Sequence, residues 1–443
     1  MCIDRLAREE IHGKLARKNS WHSEGRVGDL MQRLKTLISR RARWLVHRLR
    51  SLQYLLLKSI QRLLGILPRL GFTSRVLGPP RGVTTVANIC AGNGGNAPKV
   101  HLSDSLPGKH YSRKLEPVTI HESVFAGFEA ARTYTTEPLF ILEGSGFSCC
   151  GEHSFAILSE DDLLIDEFSF DIWTNHWHHL FRRIKPPKAH RIKGRLCAVL
   201  ESQAGTYGHW LLDFAPRLAR AKAILDKRGE KVRYLIEYRA QPHERELLAA
   251  LELAESDIEA RQPGIRYDAD YWFLPSPTSR SAMNLSRESI ATLRSVFPAA
   301  APPASNGRRL YLSRSHDRFR RILNEPEVVR HLEERGFEVV SPADLTLREQ
   351  AQLFASAEAV VSVISSGLAN MIFLPPQSAV IEIFPDDFFM PIQWSLADLC
   401  ELRYYYFFAS GSQPAAIDGI GNRHADLHVN IPALESTLRL AGL

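Results

Sequence analysis

The segment GTYGHWLLDFAPRLAR, residues 205–220, places an imidazole, an indole and a carboxylate within five positions: His209, Trp210 and Asp213. His209 and Asp213 stand four residues apart among apolar Leu211, Leu212, Phe214 and Leu218, a spacing that puts both on one helical face. Such a pair is either a buried hydrogen-bonded couple or part of a reaction centre. In the second case it is a general-base device: Asp213 or His209 takes the proton, or Asp213 orients His209.

Two further stretches carry anion chemistry. YLSRSHDRFRRILNEPE sets Arg314, Arg318, Arg320 and Arg321 after a strand pattern and just before a helix pattern. A helix N-terminus beside guanidinium groups favours phosphate through both dipole and charge, although a solvated basic loop reads the same way. VSVISSGLANMIFLP is a strand, a Ser/Gly turn and a helix. Ser365, Ser366 and Gly367 expose backbone N–H groups for a phosphate or sugar oxygen, Asn370 adds an amide, and an ordinary tight turn is the plain alternative. VIEIFP reads as a strand ending at Glu382, a carboxylate suited to a hydroxyl pair.

Other motifs are weaker. AGNGGNA matches G-x-G-x-x-A at Gly92, Gly94 and Ala97, but PKVHLSDSLPGKHYS cannot supply the helix a dinucleotide site needs, so it reads as a loop. His176, His178 and His179 lack the i, i+4 spacing of helical metal ligands and read as a solvated or interface cluster.

The elements that must position these groups change character along the chain. Residues 81–195 read as irregular and strand-rich. From 196 strands and helices alternate: RLCAVLES, KVRYLIEY and ADYWFLPS as strands, QPHERELLAALEL and SRESIATLRSVF as helices. PAAAPPASNG, residues 298–307, is a linker. Beyond it RRLYLSRS, FEVVSP, AVVSVI and SAVIEIFP alternate with helices. This is α/β patterning, a parallel sheet with helices on both faces, which binds ligands at the carboxyl ends of its strands. The expected organisation is a leader over 1–80, a first lobe over 81–297, a second lobe over 298–412, and a tail over 413–443 that packs back.

With 443 residues, 44% hydrophobic and 24% charged, the chain has globular composition and room for two cores. Its net charge of +7 is unevenly placed: residues 1–80 hold 17 Lys/Arg against 5 Asp/Glu, and the remainder 39 against 44. The body is therefore acidic, which argues against nucleic acid as a partner. In the leader, apolar residues at 34, 38, 45, 49, 52, 56, 60, 63 and 67 follow a helical period with Arg and Lys opposite. Lys58 and Arg62 interrupt it before a spanning length accumulates, so residues 30–67 read as a membrane-surface helix or one packed on protein. Cys2, Cys90, Cys149, Cys150, Cys197 and Cys400 are too scattered for a disulfide framework, and a reducing, cytoplasmic compartment is expected.

YGHWLLDFAPRL, YLSRSHDRFRRILNE and FEVVSPADLTLREQAQLFASAEAVVSVISSGLANMIFLPPQSAVIEIFP resemble, in this order, the family 61 glycosyltransferases. That family includes bacterial capsular and lipopolysaccharide-type enzymes and eukaryotic enzymes transferring xylose or N-acetylglucosamine. The resemblance covers about residues 196–410. It implies a GT-B-like fold of two Rossmann-like lobes with a cleft between them. It further implies a nucleotide-sugar donor in the C-terminal lobe, a glycan or lipid-linked glycan acceptor, and inversion with no cofactor or essential metal. By motif position, Arg314 and Arg321 contact the donor phosphates, with Asn324 beside them. Ser366, Gly367 and Asn370 line the donor pocket, Glu382 holds the nucleoside or sugar, and His209 and Asp213 face the cleft. The family's G-x-H-G-A-G-L-x-N is SVISSGLAN here, with Ile364 where the histidine belongs. The function expected is surface-polysaccharide synthesis, peripheral to the inner face of the membrane, with a homo-oligomer a further expectation. The alternative is a catalytically silent relative that binds a glycan or nucleotide as a partner subunit.

Overall fold

The computed structural model describes residues 80–91, 100–151, 155–169, 180, 187–201, 205–279, 284–298, 307–315, 317–386, 388–411 and 424–443. All of them fall in one compact unit, Gln61–Leu443. The leader helix expected over 30–67, the Gly92–Ala97 loop, His176, His178 and His179, and most of the 298–307 linker lie outside the described residues.

The described strands form two large sheets. At the heart of the first, β1 (Lys188–Val199), β2 (Arg233–Ile236), β3 (Ile258–Ala260) and β4 (Ile265–Pro275) run parallel in the order β4-β1-β2-β3. Beyond β4 the sheet becomes antiparallel, through Leu139–Gly144 and Ser148–Cys150. Helices α1 (Ala215–Lys227), α2 (Pro242–Ala250) and α3 (Arg287–Val296) accompany this lobe.

The second sheet contains β5 (Arg308–Leu312), β6 (Phe337–Val340), β7 (Ala357–Val363), β8 (Ala379–Pro385) and β9 (Arg403–Gly411), parallel in the order β6-β5-β7-β8-β9. Residues of β8 are buried on both faces, as expected for a strand covered by helices above and below. Its helices are α4 (Glu325–Glu333), α5 (Leu347–Ala355), α6 (Ile392–Leu399) and α7 (Ile431–Ala441). Local sequence fixes their ends. Thr346 Oγ1 accepts from Glu349 N–H at 3.2 Å while Glu349 accepts from Thr346 N–H at 2.8 Å, a capping box that starts α5. Gly442, at φ 75°, closes α7 in the left-handed conformation that glycine adopts without strain.

Strand order decides where a ligand can sit. In the second sheet the chain reverses direction across the sheet between β5 and β7, so the crevice opens at residues 313–321 and 364–367. In the first, successive strands turn to opposite sides of β1, so its crevice lies between the ends of β1 and β4.

The boundary between the lobes is less clean in space than in sequence. Val118–Thr119, within the segment read as part of the first lobe, adds to the second sheet alongside β9. Lys114 and Leu115 N–H groups both donate to Asp398 Oδ1 at 2.9 Å, and Trp394 Nε1 donates to Leu115 O at 3.0 Å. Phe128 is sealed among Phe389, Trp394 and Tyr406, with ring centroids 4.7, 5.2 and 4.7 Å away. Helical or strand propensity does not report such a long-range strap. One apolar cluster also runs from Phe214 and Leu218 through Leu293 to Leu368 and Ile372, which fuses the lobes along one side.

Candidate functional site

The chain leaves β1, passes Gly205 and enters a helix at Tyr207, as the sequence predicts. Its second turn differs from a regular helix: Trp210–Phe214 is π-helical, a geometry with a wider ring that recurs at functional sites. Trp210, Leu211, Leu212 and Phe214 fill the core, and burial of these apolar side chains holds the turn in place.

His209 Nδ1 lies 2.8 Å from Asp213 Oδ2, with side-chain exposures of 16% and 1%. A carboxylate accepts, so Nδ1 is the ring nitrogen that donates in this contact. Ser279 Oγ donates to the other carboxylate oxygen, Asp213 Oδ1, and Thr278 Oγ1 donates to the Asp213 carbonyl at 3.1 Å. Both residues follow β4, so the segment after β4 and the helix after β1 meet at Asp213. Asp213 is thus enclosed and held at both oxygens, while the imidazole edge reaches solvent. The two members of the pair therefore differ in access: Asp213 is enclosed and the His209 side chain is partly exposed.

Sequence reasoning missed Arg217, one turn further on and also buried. Its Nε and Nη2 donate to Pro275 O at 2.8 and 2.6 Å, and its Nη1 donates to Leu200 O at 2.6 Å. A single guanidinium therefore ties the ends of β1 and β4 to the helix that carries the pair. Burial pulls its pKa down to about 10, opposed by the charges of Glu201 and Asp213. The signal in the sequence was an arginine on the apolar face of α1, where a cation is rare unless caged.

The turn 364–367 approaches this pair from the second lobe. A Cβ added at Gly208 would lie 3.5 Å from Ser366 Cα, in van der Waals contact, so the two segments pass close to each other. Ser366–Phe373 is a 3₁₀ helix rather than the expected α-helix, and its start presents N–H groups without intrahelical acceptors. Asn370 is completely buried. Its Oδ1 lies 2.8 Å from the Tyr207 hydroxyl, and its Nδ2 donates to Gln350 Oε1 at 2.7 Å and to Gly367 O at 3.2 Å. Tyr207 and Gln350 were absent from the sequence-level set because nothing local marks them. The Ile364 side chain is buried and its N–H donates to Ile383 O at 3.0 Å, so this position presents no cleft-facing group.

The loop after β5 holds the arginines. Arg314 is turned inward: Nε donates to Arg320 O at 3.2 Å and Nη2 to Phe319 O at 2.8 Å. Burial lowers its pKa, with Asp317 opposing. Glu325, the first residue of α4, turns its carboxylate to donors of β5 and the loop after it. Glu325 Oε1 accepts from Tyr311 Oη at 2.8 Å, Ser313 Oγ at 2.9 Å and Arg314 N–H at 3.2 Å. Arg321 pairs with Asp426 at 2.6 Å, and Asn324 bonds both ways with the Val429 backbone, at 2.9 and 3.0 Å. Arg318 is exposed, its guanidinium 5.0 Å from the Phe319 ring.

Glu382 requires a correction. It sits in the middle of β8 rather than at its end, level with Ser362 and Tyr406, because the strand continues to Pro385. It is fully enclosed, accepts a hydrogen bond from Tyr404 Oη, and its Oε1 has no hydrogen-bond partner. Burial pushes its pKa up to about 8, opposed by the Tyr404 hydrogen bond and by Arg320. It therefore shapes the sheet beneath the crevice and offers no open edge to a ligand.

Among the described residues no three His, Cys, Asp or Glu side chains converge as a metal site, and no helix is long and apolar enough to cross a membrane. A shallow pocket lined by Gly307, Arg309, Gln377 and Arg403 opens at the amino ends of the second sheet's strands, opposite the crevice.

Residues 207–381 match the family model described as Glycosyltransferase 61. The match is confined to that region, from Tyr207 to Ile381. The matched range includes His209, Asp213, Arg314, Arg321, Asn324, Ser366, Gly367 and Asn370, and stops one residue before Glu382. An alpha-1,3-arabinosyltransferase, XAT3, from Oryza sativa subsp. japonica is 33% identical over 109 residues, which is 24% of this chain and 18% of the rice protein. Two solved structures of TibC are distantly similar. One is a dodecameric iron-containing heptosyltransferase in complex with ADP-D-beta-D-heptose, at 11% identity, 57% of this chain, 77% of that chain and TM-score 0.25. The other, from enterotoxigenic E. coli H10407, has 11% identity, 54% and 67% coverage, and TM-score 0.24. Likeness at that level carries no structural argument.

Proposed function

We propose that the protein is an inverting glycosyltransferase of GT-B type that moves a sugar from a nucleotide-sugar donor to a hydroxyl of a glycan acceptor. The observation that carries this reading is the His209–Asp213 pair, bonded at 2.8 Å at the end of β1, with neighbouring Gly208 against the Ser366 turn. A proton acceptor on one lobe thereby meets an N–H-rich helix start on the other.

In the proposed step, His209 Nε2 takes the acceptor hydroxyl's proton as that oxygen bonds to the anomeric carbon. The bond from the anomeric carbon to the phosphate oxygen breaks on the opposite face, and the nucleoside diphosphate leaves with the electron pair. Asp213 stabilises the imidazolium through Nδ1. The leaving diphosphate is held by the first N–H groups of 366–373 and by exposed Arg318 and Arg321. An exposed ion pair such as Arg321–Asp426 is worth little, so phosphate can displace the carboxylate. Neither a cofactor nor a metal enters this scheme. The basic stretch 30–67 supports a peripheral position at the inner membrane face, near a lipid-linked acceptor of capsule or lipopolysaccharide synthesis.

The test is release of nucleoside diphosphate from a panel of UDP-, GDP- and dTDP-sugars, and of CMP from CMP-sugars, by the purified full chain. Thermal shifts with the free nucleotides accompany it. Slow hydrolysis of one donor with a matching shift supports transfer. A shift without turnover, even with glycan acceptors supplied, supports instead the silent binding relative that Ile364 suggests.

A further inference from the structure

Building on the reading of residues 207–381 as a transfer site, we propose that Tyr207 is a positioning residue, a latch that joins the two lobes and keeps the His209–Asp213 pair in register with the 364–367 turn. Tyr207 belongs to the first lobe and its hydroxyl ends in the second, 2.8 Å from Asn370 Oδ1 and 3.1 Å from Gln350 Oε1. Burial of that hydroxyl raises its pKa, so the phenol stays a donor. The network is closed. Asn370 donates to Gln350 Oε1 and to Gly367 O, and Gln350 Nε2 donates to Leu345 O at 3.0 Å. The Asn370 amide oxygen is held by Tyr207 and both amide hydrogens by protein acceptors, and the residue is wholly buried. Asn370 is therefore a strut of the donor turn rather than a donor ligand.

The ring of Tyr207 is fixed as firmly as its hydroxyl. It stacks on Trp210 at 6.2 Å between centroids and meets the edge of His243 at 5.8 Å. Two residues later the chain presents His209, and in between Gly208 lies beside Ser366, close enough that a Cβ on it would reach 3.5 Å from Ser366 Cα. A shift of the lobes at Tyr207 thus moves the proton acceptor directly relative to the turn. Satisfied buried polar networks of this kind select one arrangement over others, because a displaced arrangement leaves desolvated amides unpaired.

The experiment compares the wild-type full chain with Tyr207→Phe, which keeps the ring and removes one oxygen. Hydrogen exchange without any ligand is the first readout. The latch requires amides of 366–373 and 207–214 to exchange about tenfold faster in the variant, the consequence of one lost buried hydrogen bond. Turnover of whichever nucleotide-sugar the wild type hydrolyses is the second. There kcat falls about 10²-fold with KM unchanged, since a small misplacement acts on the reacting geometry. Unchanged exchange overturns the latch, as does a raised KM at constant kcat, which would make the hydroxyl a ligand. Should Tyr207→Phe fold poorly, Gln350→Met loosens the same network from the other side. Exchange effects of the two changes that simply add would also overturn it, because partners in one network couple. If the wild type hydrolyses nothing, the transfer reading fails separately while exchange still decides the latch.

Discussion

The carboxyl edges of the two sheets use their polar residues in opposite ways. At the first, Ser279 and His209 bond the Asp213 carboxylate and Thr278 its backbone carbonyl, and the imidazole is left partly exposed. At the second, Arg314 is spent on loop carbonyls, Asn324 on Val429, Arg321 on Asp426 and the α4 start on Glu325. One edge is built around a single hydrogen-bonded pair with its imidazole partly exposed. The other is a rigid rim whose available donors are backbone N–H groups and exposed guanidinium groups. The difference teaches that residue type at a strand end tells less than which neighbours reach it.

The largest expected effect tests the first edge. His209→Ala should lower turnover about 10²–10⁴-fold, and Asp213→Asn should do the same while nucleotide binding persists, as judged by thermal shift. Near-normal turnover in Asp213→Asn sinks the orienting role. Next comes Arg217→Met, which strips a buried cation from the carbonyls of Leu200 and Pro275. It should cost about 1–3 kcal/mol in denaturant unfolding for the carbonyls left unpaired, and reduce activity as the ends of β1 and β4 separate.

Glu382→Gln probes the second edge through pH. Its folded pKa of about 8 exceeds the ordinary 4.5, so the folded state holds a proton that the unfolded state has released. This residue's contribution to stability must decline as pH rises from about 4.5 to about 8, by at most about 1.4 kcal/mol per unit, and then level off. The glutamine variant should lack that decline. Parallel pH–stability curves for the two proteins would show that Glu382 is not the enclosed acid described above.

The smallest effect separates rim from ligand. Arg321→Ala should change stability by only about 0.2–1 kcal/mol, as an exposed pair does. It should nevertheless raise the donor KM about tenfold, the loss of roughly one charge-assisted bond to phosphate. An unchanged KM would make Arg321 purely part of the rim.

Much of this was legible in the chain. Alternation of apolar strands with amphipathic helices gave α/β architecture, because periods of two and about 3.6 are imposed locally. The i, i+4 spacing joined His209 to Asp213 for the same reason: both lie on one helix, and no tertiary information is needed. Glu382 was misplaced because strand ends are set by pairing, and here β9 pairs with β8 through Pro385. The Val118–Thr119 strap and the Tyr207 network could not be read at all, since their partners lie more than a hundred residues away.

By itself, then, the sequence determined which elements form, where the sheets turn to helices, and that a histidine and an aspartate would share a face. Those properties depend on interactions within a few residues. Only the tertiary structure decided which of the two is enclosed, that Arg314 and Asn370 bond to the protein's own groups, and that Glu325 takes the Tyr311, Ser313 and Arg314 donors. Availability for chemistry depends on burial and on competing partners, and both are settled when distant segments pack together.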